Sequence, residues 1–269
     1  MKRLFTFGCS HTCHGYPTWA NILAEEFDEH INFGQAGSGP LYAFYQISNL
    51  INNKEKWKLS EDDYFVLLIP EENRNDVVIG NGVPKFGNER IVTNTIHNDC
   101  EEWYTDKYKR EFSPSDGLIK TTLYIESIVR LFQNHRFNYK IINALYGLHY
   151  QNTDRYKLYK EHLKNLVGHS DSLQTIAKEH TEKEIHYYFL NEQNELEWDG
   201  HWYIAIHLQF VKSNFDFYKE TNVDKYLDIH ESITKTNLFN VNEYSAKYHY
   251  AYWPCGGLFS SSQNKLLSL

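Results

Sequence analysis

Apolar residues along this chain follow two rhythms. Lys2–Phe7 ends in the run Leu4-Phe5-Thr6-Phe7, and Tyr64–Ile69 is apolar almost throughout before Pro70 stops it. Runs of this kind, without polar alternation, suit strands covered on both faces. His30–Phe33, Tyr139–Leu145 and Ile185–Leu190 read as three further strands. Between them the spacing turns helical. Pro17 opens a segment carrying Trp19, Ile22, Leu23 and Phe27, and a second carries Leu41, Phe44, Ile47 and Ile51. Ser115–Phe132 presents Ile125, Ile128, Val129 and Phe132 on one face, and a polar helical region surrounds Tyr156–Glu179. A last core helix is predicted to begin near His201 and to run through Ile204, Leu208 and Val211.

Strands alternating with helices predict an α/β fold, a three-layer sandwich around a parallel, doubly wound sheet of about five strands. We assign residues 1–212 to that domain, with a long, polar, irregular insertion at about 71–114. Residues 213–269 form an aromatic-rich C-terminal extension, with Tyr218, Tyr226, Tyr244, Tyr248, Tyr250, Tyr252 and Trp253 on no clean helical or strand period.

The 269 residues are 41% hydrophobic and 23% charged, enough apolar material for a sizeable core. A formal charge of −8 argues against nucleic acid or an anionic membrane as partner. No run reaches the length of a membrane span, no signal segment is evident, and the four cysteines are too sparse for a disulfide framework. The expected setting is therefore cytoplasmic. Oligomeric state is not legible.

The chemistry gathers at strand ends. Gly8-Cys9-Ser10 follows the first strand directly, the turn Gly34–Gly39 follows the second, and Pro70–Asn73 follows the third. In a parallel sheet these ends share one rim, where ligands bind. A serine there becomes a nucleophile when an imidazole removes its proton. His201 is the candidate base, with Asp199 or Glu197 orienting it. Candidate oxyanion donors are the N–H groups of Ser10 and Gly37 and the side-chain amide of Asn73. The same residues also suit plainer roles: a turn serine, a helix-start histidine, a capping aspartate. Cys9, His11, Cys13 and His14 offer four metal-ligand types within six residues, but structural zinc usually draws pairs from two separated segments. No metal is expected.

These residues carry a resemblance. Phe7-Gly8-Cys9-Ser10-x-Thr12, with Gly15 and Trp19-Ala20-x-x-Leu23-Ala24, resembles the first block of SGNH (GDSL-like) hydrolases, in the subgroup reading Gly-Cys-Ser. Asn32-x-Gly34-x-x-Gly37 is similar to the second block, and Asp199-Gly200-His201 with His207 to the last. The resemblance implies a flavodoxin-like sheet, Ser10 as nucleophile, His201 as base, Asp199 as its orienter, and oxyanion donors at Ser10, Gly37 and Asn73. It implies a serine esterase that hydrolyses an O-acyl, in particular O-acetyl, ester on a carbohydrate or small metabolite through an acyl-Ser10 intermediate. That chemistry needs no cofactor. The chain departs from the pattern at Pro70-Glu71-Glu72-Asn73-Arg74, where the third block reads Gly-x-Asn-Asp, and at Trp202-Tyr203, where Pro-Ser is usual. These departures keep in view a catalytically silent glycan- or protein-binding domain, and the resemblance also allows an O-acyltransferase, in which an alcohol takes the acyl group in place of water.

Overall fold

The computed structural model describes residues 1–14, 16–35, 37–70, 74, 76–79, 90–92, 114–143, 154–167, 172–177, 186–190 and 196–236. Strand β1 (Arg3–Phe7) is central. It pairs in parallel with β2 (Glu29–Asn32) on one side and β3 (Tyr64–Ile69) on the other. The strand Asn138–Asn143 then pairs in parallel with β3, Phe65 opposite Tyr139. Two short antiparallel strands, β4 (Val77–Ile79) and β5 (Arg90–Val92), stand apart, so Asn138–Asn143 is β6 and the sheet order is β2-β1-β3-β6.

Side chains of the central strands alternate between two apolar layers, which is why their sequences do not alternate. Phe5, Phe7, Phe65, Leu67, Ile69 and Ile141 face one core, built with α2 (Pro40–Asn52), α4 (Pro114–Asn134) and α5 (Asp154–Val167); the short α3 (Lys54–Trp57) lies at its edge. There Phe5 stacks on Phe65 with ring centres 5.0 Å apart, and Phe132 covers Phe65 at 5.1 Å. Leu4, Val66, Leu68 and Ile142 face the other core, with α1 (Trp19–Ala24), α6 (Leu173–Ala177), α7 (Ile204–Asn214) and α8 (Val223–Thr236). The result is the α/β/α sandwich that the pattern predicts.

The structure differs from the sequence reading in three places. The segment expected as a fifth parallel strand, β7 (His186–Leu190), pairs antiparallel with β8 (Leu196–Trp202). Among the described residues the parallel sheet therefore has four strands. His201 lies in β8, three residues before the α7 helix that it was expected to open. Finally, 223–236 is a helix, although no helical period is evident there. Its buried Tyr226 and Ile229 join the second core, and the Tyr226 hydroxyl donates to Glu25 at 2.8 Å. The tail beyond 236 and most of the 71–114 insertion lie outside the described residues.

Candidate active site

The chain runs from β1 to β2 on one side and then returns to β3 on the other. In parallel sheets ligands bind at such a direction switch, here beyond the carboxyl ends of β1 and β3. Gly8 makes the exit from β1 possible. Its φ is +147°, and a Cβ there would lie 2.3 Å from Thr12 Oγ1 and 2.9 Å from the Leu68 carbonyl oxygen. Only glycine fits both conditions. The turn then closes as the Thr12 and Cys13 N–H groups donate to the Cys9 carbonyl at 2.9 and 3.2 Å. Ser10 sits within it, 6% exposed, above the fully buried Cys9.

The second loop is strapped onto this turn. The Gly8 carbonyl accepts from the Gln35 N–H at 2.9 Å and from the Ser38 hydroxyl at 3.0 Å. Asn32 accepts from the Gly34 N–H at 2.8 Å and donates to the Thr12 carbonyl at 2.9 Å. A side chain at Gly34 would meet the Cys13 Cβ at 2.9 Å and the Thr12 Cβ at 3.0 Å, so the Gly34 backbone lies directly against the side chains of the Ser10 turn. Gly37 follows in a left-handed turn, φ +76°.

The third contribution comes from the far end of the fold. In the β7–β8 hairpin, His186 pairs with Trp202 and Tyr188 with Trp198. Two residues on one strand thus span four on the other, and the excess falls on Asp199-Gly200-His201. A bulge re-aims side chains out of the regular pleat. The His201 ring lies 3.9 Å from that of His14 and 5.1 Å from that of His11. Trp202 stacks on His11 at 4.5 Å, and the Tyr16 hydroxyl donates to the Trp202 carbonyl at 3.1 Å. The fold thus brings His201 against the turn holding Ser10. Asp199 is two residues before His201 on the same bulged strand.

Four imidazoles gather here: His11, His14, His201 and His207. His207, on α7, is fully buried, and burial, reinforced by His201 and His14, drives its pKa down to about 3. Burial likewise pulls His11 well below the ordinary value, with His201 and Arg74 adding to the effect. Both rings are therefore neutral at physiological pH. Among the described residues no group of three or more His, Cys, Asp or Glu side chains is arranged to hold a metal ion.

Asn73, the expected third oxyanion donor, lies outside the described residues, as do Glu71 and Glu72. Beyond them the structure shows a contact that the sequence reading missed. Asp76 accepts from the N–H groups of Gly39 at 2.8 Å and Tyr42 at 2.7 Å, capping α2. Burial pushes its carboxyl up to about 6, against the pull of these donors. The available signal was indirect: α2 begins Gly39-Pro40, with no capping side chain of its own, so its free N–H groups needed a partner from elsewhere.

No protein-family model matches the chain, and a search of curated proteins finds no match.

Proposed function

We propose that this chain is a serine ester hydrolase of the SGNH type, acting on an O-acyl, in particular O-acetyl, ester of a carbohydrate or small metabolite. The observation that carries the reading is the meeting of His201 with the Ser10 turn, seen in its ring contacts with His11 and His14. In this reading His201 takes the Ser10 hydroxyl proton as Oγ attacks the acyl carbon. The N–H groups of Ser10 and Gly37, with Asn73, receive the oxyanion, and Asp199 steadies the imidazolium. Collapse expels the alcohol, which takes the proton from His201. Water activated by the same imidazole then releases the acid and frees Ser10.

Fluorophosphonate labelling with peptide mapping tests the reading. Modification of Ser10 that is lost in both Ser10→Ala and His201→Ala is the expected result. No labelling of folded protein, with the probe active on a control hydrolase, would overturn it. The departures at Pro70–Arg74 and at Trp202-Tyr203 favour one competitor, a silent binding domain of the same fold. In that case glycan binding would survive both substitutions and no ester would turn over.

A further inference from the structure

Arg74 has a setting that the ester-hydrolase reading leaves unused. Its Nε and Nη1 atoms are buried and have no hydrogen-bond partner among the described residues. Buried N–H donors without a partner are costly, and native proteins rarely leave them unsatisfied. Asp76 is near enough for the two charges to act on each other, but its oxygens accept from the α2 N–H groups and neither Arg74 Nε nor Nη1 donates to them. The backbone holds Arg74 in place: its carbonyl oxygen lies 2.9 Å from where a Cβ on Gly39 would be, so the strand-end segment rides directly on the start of α2. Its charge is also close enough to His11 to act on that ring. Arg74 thus stands between the loop carrying Gly37 and the turn carrying Ser10. Two more buried polar atoms of that turn, His11 Nδ1 and Thr12 Oγ1, are without partners.

We propose that Arg74 anchors a site for an anionic oxygen group on the ligand, a carboxylate or a phosphate, beside Ser10. This extension rests on the ester-hydrolase reading and narrows it: the substrate is an ester whose acyl or alcohol portion carries a negative charge. Donors that met only the short-lived oxyanion would stay unsatisfied through the rest of the cycle. An anionic oxygen carried by the substrate satisfies them from binding to product release. The chain's net charge of −8 repels anions at long range, so a local cation is the feature that makes an acidic ligand acceptable.

The test uses the full chain with acetate and inorganic phosphate as probes. Fluorophosphonate labelling of Ser10 is followed as each anion is added, alongside 15N NMR of the arginine Nε–H resonances. Saturable protection of Ser10 and a matching shift of one arginine signal are expected. In Arg74→Gln the half-protecting concentration should rise about tenfold or more, and Arg74→Lys should recover part of the loss. Binding of neither anion to the wild-type chain, or equal binding by a folded Arg74→Gln, would overturn the proposal. If Arg74→Gln does not fold, the wild-type resonance shift and Arg74→Lys decide. Arginine shifts without Ser10 labelling would leave the anion site standing and sink the hydrolase reading. Labelling that neither anion affects would do the reverse.

Discussion

The Tyr16 hydroxyl donates to the Trp202 carbonyl oxygen at 3.1 Å, joining two residues 186 positions apart. Tyr16 is 1% exposed and Trp202 7%, so the bond is made in the core, next to the residue proposed as the base. It ties the bulged end of β8 to the loop that leaves the Ser10 turn. Tyr16→Phe should cost about 1 kcal/mol of stability, the usual net worth of such a bond. Its effect on Ser10 labelling should be larger, about tenfold, because a displaced imidazole loses its reach. Urea denaturation and labelling rates measured together separate the two effects. A stability loss with unchanged labelling would make Tyr16 a packing residue only.

Gly8 is constrained twice, by a positive φ and by the Thr12 and Leu68 atoms that a Cβ would strike. The Leu68 oxygen belongs to β3, so it has no flexible end that can move aside. Gly8→Ala should therefore destabilise the fold by at least about 2 kcal/mol. Ser10 labelling should be lost even under conditions where circular dichroism shows folded protein, since the turn must open to admit the methyl group.

The sandwich was legible wherever burial alone set the pattern. The apolar run Tyr64–Ile69 is β3 to the residue, and Ser115–Phe132 lies within α4. Gly8-x-Ser10 and Asn32-x-Gly34 were legible because glycine at a strand end marks a tight turn. The sequence predicts a helix beginning near His201, and not a strand, because the bulge at Asp199-Gly200-His201 breaks the two-residue period by which a strand is recognised. The α8 helix escaped notice because, among its described residues, Tyr226 and Ile229 are buried in the core and Val223 is half-buried against it, a short stripe within a mostly polar segment. Arg74 and Asp76 act on α2, more than 30 residues earlier in the chain, and no local spacing encodes a tertiary cap.

Stability should fall steeply in acid. Burial holds His30 and His207 at about 3, from an ordinary 6.5, and holds His11 well below 6.5. A histidine with a depressed folded pKa contributes stability that is complete above its unfolded value and is lost as pH falls below it. Asp76 works in the opposite sense, being about 6 when folded and 3.8 when unfolded. Near pH 5, unfolding then takes up protons at His30 and His207 and releases one from Asp76, a net uptake of about one to which the lowered His11 adds in the same direction. Stability should drop by at least about 1.4 kcal/mol for each pH unit lost there. Urea titrations between pH 7 and 5 read this slope. A flat profile would mean that these histidines are solvated in the native state.

Replacing Asp76 with asparagine isolates the opposing contribution. A carboxyl whose folded pKa is raised binds its proton more tightly in the native state, so its contribution to stability declines as pH rises from about 4 to about 6. Asparagine resembles the protonated carboxyl, with one acceptor oxygen for the N–H groups of Gly39 and Tyr42, and it does not titrate. Asp76→Asn can begin below wild type at pH 4, since one of the two N–H groups then faces an amide donor. Between pH 4 and 7 the difference should move in favour of the variant by on the order of 3 kcal/mol. The measurement is the difference between the two denaturation midpoints across that range. A difference that stays constant would mean that Asp76 ionises in the folded protein at its ordinary value, with the α2 N–H groups cancelling its burial.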